Sequence, residues 1–173
     1  MKETGVLRRM DELGRIVIPK EIRKKLKIRT GDFLDIYVSD SNIILEKYSA
    51  LKDIEIIVQI MLDSLSKTFN ILLALTDTNK VIASTNKDLK INSELSSNYI
   101  NTIISDDAIN INKNMALEIT SDYVSHTHLL IKTISIYGDI YGTIIAFIDY
   151  DNGKDKHEIL NLIDSFITEY ITS

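Results

Sequence analysis

The chain has 173 residues, of which 45% are hydrophobic and 26% charged, a composition typical of a folded globular protein with one or two small domains. It has no cysteine, which excludes disulfides, thiolate metal sites and a cysteine nucleophile and fits a reducing cytosol. No apolar run approaches the roughly 20 residues of a membrane span, and the polar start MKETG is unlike a secretory signal, so we expect a cytoplasmic protein without membrane contact.

Charge is divided unevenly along the chain, although the formal net charge is only −5. Residues 1–30 hold ten basic and four acidic side chains, whereas residues 51–173 hold nine basic and seventeen acidic ones. A cationic N-terminal segment followed by an anionic remainder predicts that the N-terminal segment binds a polyanion and that the remainder does not.

The first fifty residues predict short strands around one short helix. Residues 6–10 and 16–18 are β-rich runs, separated by a turn in which Gly14 can take a positive φ. Residues 33–38 and 43–48 alternate apolar and polar side chains on either side of a turn, which predicts a hairpin.

The predicted helix covers residues 20–26 and follows Pro19, whose missing N–H suits the first helical position. Ile22 and Leu26 lie four residues apart on one face, which leaves the basic side chains for solvent. A unit of about 48 residues with few aromatic side chains buries too little apolar area to fold alone. We therefore expect it to oligomerise.

The remaining residues predict an α+β domain with an antiparallel sheet, with one domain boundary near residue 50. Helices are expected over 51–69, around 95–105 and at the C-terminus. The first carries a stripe of Ile54, Val58, Met61 and Leu65, and the last carries Leu160, Ile163, Ile167 and Tyr170. Strands are expected at 71–76, 80–84, 116–120, 129–136 and 141–148, and 110–114 is expected to be an asparagine-rich loop.

The run TGVLRRMDELGRIVIPKEIRKKLKIRTGDFLDIYV, followed by IILEKY, closely resembles the AbrB-type swapped-hairpin DNA-binding domain. The resemblance implies a mixed fold, in which residues 1–50 of two chains interleave their hairpins into one dimeric β-barrel. The layout of the whole chain resembles larger regulators of spore-forming bacteria, in which a GAF-like α+β domain follows, here residues 51–173. It implies a regulator of sporulation or other late-growth genes that binds double-stranded DNA, without cofactor or catalysis.

Carried over residue by residue, the DNA-contacting positions of the family fall on Arg8, Arg15, Arg23 and Lys24, with supporting contacts expected from Arg9 and Lys20. Lysine at position 24 keeps the charge of the arginine common in relatives but loses its bidentate fork, so we expect a phosphate contact there. Asp11 and Glu12 interrupt this basic segment. They orient Arg8 or Arg15 through ion pairs, or they repel wrong registers on DNA.

Two roles are open for residues 51–173, and they are compatible. As an assembly module, helices 52–68 and 157–171 would join two dimers into a homotetramer. As a sensor, the domain would bind an unidentified small ligand in a pocket with polar groups such as Tyr99, Tyr123 or Thr133.

An enzyme is not expected, and neither is a metal site. His126 and His128 lie two apart near Asp122, but too few ligand residues accompany them. Residues 149–155 resemble a calcium loop only faintly, because the glycine stands at the wrong offset and Leu160 occupies the place of the final glutamate.

The rival hypothesis for the whole protein is an antitoxin of a toxin–antitoxin pair, since the swapped-hairpin fold also serves that class. Such antitoxins usually end in an acidic, disordered tail that folds on the toxin. Here the acidic part carries Ile, Leu and Val at regular spacing, which predicts a folded domain.

Overall fold

The computed structural model of the chain describes residues 5–26, 28, 30, 32–103, 108–111, 116–148 and 153–173; side chains are described over this range except at 108–111 and 153–155. The chain divides into two compact units, Met1–Tyr48 and Ser49–Ser173, each of which is described separately. Within the described residues, no helix combines the length and the apolar character that crossing a membrane requires.

The N-terminal unit contains helix α1 (Lys20–Lys25) and the antiparallel hairpin of β1 (Leu34–Ser39) and β2 (Asn42–Lys47). The hairpin turns at Asp40, which has a φ of 54°, a conformation that aspartate tolerates better than most residues. The N–H of Tyr48 donates to the Phe33 carbonyl at 3.0 Å and extends the ladder by one bond. The predicted helix and hairpin therefore form within about one residue of their expected bounds.

The strands predicted over residues 6–10 and 16–18 are absent from the described part of the single chain, and that prediction is wrong at this level. The β-rich composition of these runs is real, but a strand exists only where a second strand pairs with it. The described residues of one chain supply no such partner, so they do not close a barrel.

The large apolar side chains described in the N-terminal unit are exposed or only partly buried. Both buried cores of the protein draw on residues from Leu51 onwards, and no large apolar side chain described between residues 5 and 48 is buried. The exposed fraction is 95% for Leu7, 74% for Val17 and 65% for Ile36. This unit therefore lacks a core of its own in one chain.

The C-terminal unit is built on a five-stranded antiparallel sheet of order β4-β3-β9-β8-β5. Its strands are β3 (Leu72–Asp77), β4 (Val81–Ser84), β5 (Ala108–Ile111), β8 (His128–Ile136) and β9 (Asp139–Ile148). The expected hairpin between β8 and β9 turns at Tyr137 and Gly138, which have φ values of 53° and 89°. A separate two-stranded sheet pairs β6 (Leu117–Thr120) with β7 (Tyr123–Ser125).

Four helices complete the unit: α2 (Ala50–Asp53), α3 (Glu55–Phe69), α4 (Ser97–Ile103) and α5 (Gly153–Thr172). The single helix predicted over 51–69 is divided at Ile54, whose backbone leaves the helical region. Asn70 ends α3 in the left-handed conformation, where its N–H donates to a carbonyl of the last turn.

The sheet separates two cores, because alternate residues of each strand face opposite sides. One face packs against α2, α3 and α5 and contributes Leu73, Leu75 and Ile144. The other face packs against α4 and the β6–β7 sheet and contributes Ile145 and Phe147. Both faces are covered, which makes this unit a folded α+β domain.

Two loop predictions overlap residues outside the described range. Residues 110 and 111, expected in a loop, belong to β5, while 112–114 lie outside the described residues. Residues 149–152 of the calcium-like segment also lie outside, and Gly153 begins α5. Strand β7 was not predicted, because three residues carry too little periodicity to detect.

Candidate nucleic-acid interface

Helix α1 presents a compact set of cations. Pro19 is buried and precedes the helix as its N-cap residue, one position before the first helical position expected for it, and its carbonyl accepts the N–H of Arg23 at 2.9 Å. Lys20, Arg23 and Lys24 lie three and four residues apart, so they share one side of the helix, and all three are exposed. The cations of the last turn also suit the negative end of the helix dipole.

The segment before the helix is a tight loop closed by Asp11 and Arg15. The N–H of Asp11 donates to the Arg15 carbonyl at 3.1 Å, and the N–H of Gly14 donates to the Asp11 carbonyl at 3.0 Å. Gly14 has a φ of 76°, a backbone conformation in which a residue with a side chain would be strained. The expected turn is therefore confirmed, and its two ends are joined.

The Asp11 carboxylate binds both the backbone and the side chain of this loop. Its Oδ1 accepts the N–H groups of Leu13 at 3.0 Å and Arg15 at 2.8 Å, and its Oδ2 accepts Nε–H of Arg15 at 2.7 Å. The bonds from the Arg15 backbone and then its guanidinium lower the pKa of Asp11 below its ordinary value, so the carboxylate is charged at neutral pH. Of the two roles considered for Asp11, the contact with Arg15 matches the orienting one.

All six predicted DNA-contacting side chains are exposed. Arg8 and Arg9 lie in the irregular segment ahead of the loop, and Arg15 belongs to the loop. Helix α1 carries Lys20, Arg23 and Lys24. The N-terminal unit thus carries cations on three consecutive segments.

The polar residues considered for a ligand pocket lie against the second core of the C-terminal unit. The hydroxyl of Tyr99 is 2.6 Å from Oγ1 of Thr143, which is 2.7 Å from Oγ1 of Thr76, and all three side chains are buried. Burial raises the pKa of Tyr99 well above its ordinary value. The Tyr123 hydroxyl accepts Nδ2–H of Asn86 at 2.8 Å, so both tyrosine hydroxyls already have protein partners.

The apolar stripes predicted for assembly are used inside the unit, so the assembly prediction named the wrong faces. Ile54 and Val58 of the first stripe and Leu160, Ile163 and Ile167 of the second are buried in the core on one face of the sheet, and Met61 and Leu65 pack against it partly buried. The reason is that the sheet offers each helix an apolar surface to cover. Tyr170 of the second stripe is exposed instead, and so are apolar side chains outside the stripes: Ile56, Ile57 and Ile60 on α3, and Leu162 and Phe166 on α5.

The two histidines considered for a metal pair lie at and just before the start of β8. His128 is the first residue of β8, and His126 precedes it in a loop. Among the described residues, no group of three or more His, Cys, Asp or Glu side chains is placed to hold a metal ion.

Comparison with known proteins gives matches to the N-terminal unit. A family model described as "Antidote-toxin recognition MazE, bacterial antitoxin" matches residues 7–53. The transition state regulatory protein AbrB of Bacillus subtilis (strain 168) is 58% identical over 48 residues, which cover 28% of this chain and 50% of that protein. The solution structure of the N-terminal DNA recognition domain of B. subtilis AbrB is 57% identical, covers 28% of this chain and 92% of the domain, and has a TM-score of 0.25.

A further match extends over both units. Stage V sporulation protein T of B. subtilis (strain 168) is 30% identical over 177 residues, which cover 96% of this chain and 97% of that protein. The N-terminal unit and its matches define the class of AbrB-type proteins, here with a C-terminal α+β unit. Within that class, the chain belongs to the family of stage V sporulation protein T.

Proposed function

We propose that this protein is a transcription regulator that binds double-stranded DNA through its N-terminal unit and controls sporulation or other late-growth genes. The observation that carries the proposal is the set of exposed cations in the segment most similar to AbrB, whose solved domain is titled a DNA recognition domain. The relatives are named as regulators or as a sporulation protein, which supports a role without catalysis.

Two chains form the DNA-binding unit in this proposal. One chain leaves the β-rich runs at 6–10 and 16–18 unpaired and its apolar side chains exposed. An interleaved dimer supplies strand partners to these runs and buries side chains such as Val17 and Ile36. It therefore pairs the backbone groups and removes apolar surface from water. The dimer also doubles the number of cations on one surface.

The cations have different tasks. Arg8, Arg15 and Arg23 carry guanidinium groups that can bond a guanine edge with two N–H groups, so they read bases. Lys24, Arg9 and Lys20 bind phosphates, and each such contact releases counterions and steepens the salt dependence of binding.

The C-terminal unit is proposed to be a GAF-like assembly domain that joins two dimers into a homotetramer. The support is the set of outward apolar side chains on α3 and α5, among which Ile56 is 70% and Ile60 65% exposed. Helices with an unpartnered apolar face are stabilised when a second copy covers it. A small ligand bound on the α4 side of the sheet would then act by favouring one arrangement of the dimers.

An antitoxin is the second candidate, because the matching family model carries that description. Antitoxins of this fold are expected to end in a disordered acidic tail, whereas the described residues of 49–173 form two buried cores. The folded C-terminal unit therefore favours the regulator. Co-purification of the full chain with a toxin encoded beside it would reverse this preference.

The test is a DNA titration of the full-length protein with duplexes selected from a random pool. We expect Arg23→Ala to weaken binding at least about tenfold, because the dimer loses two guanidinium contacts. Lys87→Ala is the matched control, since Lys87 is an exposed lysine of the C-terminal unit. Light scattering checks that the oligomer is intact. The proposal fails if the wild-type protein binds no duplex in dilute buffer, or if both variants bind like wild type.

A further inference from the structure

Asp11 is an acidic residue on the proposed DNA-binding surface, where a negative charge is unexpected. Its carboxylate lies beside Arg15 on a segment with a net positive charge, and its side chain is 41% exposed. A negative charge near DNA phosphates repels them, so electrostatics alone would favour its removal. The hydrogen bonds of Asp11 indicate what it contributes in return.

The two carboxylate oxygens have separate tasks. Oδ1 accepts two backbone N–H groups, from Leu13 and Arg15, and so fixes the turn. Oδ2 accepts only Nε–H of Arg15 among the bonds described, at 2.7 Å, and so fixes the direction of the guanidinium. One side chain thereby sets both where the Arg15 backbone lies and where its side chain points.

The bond to Nε also limits how Arg15 can bind DNA. A guanidinium offers one side that combines Nε–H with a terminal N–H, and one end formed by its two terminal nitrogens. Because Nε is bonded to Asp11, the end remains available for a bidentate contact. That end matches the O6 and N7 acceptors of guanine in the major groove.

We propose that Asp11 is a positioning residue that holds the guanidinium of Arg15 end-on toward the duplex, so that Arg15 discriminates between base pairs. This inference rests on the proposed DNA-binding function. A side chain held in its bound orientation loses less conformational freedom on binding, and two copies in a dimer double that gain. Removing the carboxylate should therefore weaken specific binding, although it removes a negative charge.

The test compares Asp11→Asn with Glu12→Gln in the full-length protein. Asparagine keeps an Oδ1 that can accept the Leu13 and Arg15 N–H groups, but it places an amide donor against the Nε–H donor. The turn is thus retained while Arg15 is released. Glu12→Gln removes the same charge from the adjacent position, and no bond of the Glu12 side chain is described.

The measurement is the affinity for a duplex enriched by the wild-type protein and for a scrambled duplex of the same length. We expect Asp11→Asn to weaken binding to the enriched duplex at least about fivefold and to lower the ratio of the two affinities. Glu12→Gln should bind both duplexes as tightly as wild type or more tightly. In an Arg15→Ala background, Asp11→Asn should cause no further weakening, since Asp11 acts through Arg15.

Each other result overturns the inference in an identifiable way. Intact Asp11→Asn oligomers that bind as tightly as wild type overturn the inference alone, provided that Arg15→Ala weakens binding. Equal weakening in the Arg15→Ala background means that Asp11 serves only the fold of the loop. Wild-type protein that binds no duplex overturns the proposed function as well.

A second measurement decides the question if Asp11→Asn does not fold. In the wild-type protein, nuclear magnetic resonance should show slower solvent exchange for Nε–H of Arg15 than for Nε–H of Arg23, because only the former is bonded to a carboxylate in the described residues. Equal exchange rates would overturn the inference.

Discussion

Replacing Tyr99 by phenylalanine tests whether a buried chain of hydroxyl groups holds α4 against the sheet. The Tyr99 hydroxyl lies 2.6 Å from Oγ1 of Thr143, and that oxygen lies 2.7 Å from Oγ1 of Thr76. The substitution removes one buried hydrogen bond but leaves the two threonines paired with each other. We therefore expect a loss of about 1 kcal/mol in the free energy of unfolding at neutral pH.

The difference in the free energy of unfolding between wild type and Tyr99→Phe should shrink at alkaline pH, because the pKa of Tyr99 is raised in the folded protein. Burial raises the pKa of Tyr99 above its ordinary value of 10.0, so the folded protein keeps this proton when the unfolded chain has lost it. The stability that this group provides is thus complete below about pH 10 and falls by about 1.4 kcal/mol per pH unit above it. Phenylalanine has no proton to lose, so the two proteins should be equally stable near about pH 11.

The assay is urea unfolding of wild type and variant at several pH values, followed by circular dichroism. All other side chains are the same in both proteins, so the difference between their stabilities isolates Tyr99. Tyr123→Phe is a control at neutral pH, since that half-buried hydroxyl accepts one bond from Asn86 and should matter less. A stability difference that does not change with pH, or a variant at least as stable as wild type at neutral pH, would show that the Tyr99 hydroxyl does not stabilise the fold in this way.

Two further outcomes are expected. Gly142→Ala should lower the free energy of unfolding of the C-terminal unit by about 3 kcal/mol in the same urea assay, because a Cβ there would overlap the Thr76 carbonyl oxygen. Gly138→Asn is the comparison and should cost less, because its Cβ meets open space and only the backbone is strained, at a φ of 89° that asparagine tolerates better than most residues. Deleting residues 52–173 should leave dimers that bind DNA less tightly at matched salt, because linked dimers gain effective concentration; unchanged affinity would contradict the assembly role.

The local elements of the N-terminal unit could be predicted because their signals lie within a few residues. Pro19 and the following basic run predict α1, and alternating side chains predict the β1–β2 hairpin. The runs at 6–10 and 16–18 carry the same kind of signal, yet no strand forms there within the described residues. Composition favours a strand, but a partner strand decides whether it forms.

In the C-terminal unit, the sequence predicted the helices but not which of their faces would be buried. The stripes through Val58 and Ile163 are periodic, and periodicity identifies an apolar face without saying what covers it. The structure places these residues on the unit's own sheet and leaves Ile56 and Phe166 outward.

The candidate DNA-binding site could likewise be predicted from the sequence only in part. The cations at Arg15, Arg23 and Lys24 are evident from charge and from the resemblance, and the acid at position 11 was already an anomaly. Only the folded loop shows that Asp11 bonds the Arg15 backbone and side chain together.

The cationic N-terminal segment, the anionic remainder and the approximate positions of most helices and strands can be predicted from the sequence, because charge and short-range periodicity are properties of neighbouring residues. That Thr76, Tyr99 and Thr143 share one hydroxyl chain follows only from the fold, since these residues are 23 to 67 positions apart and meet where α4 packs against the sheet. Contacts between residues so far apart in the sequence depend on how whole helices and strands pack together, which no local sequence pattern specifies.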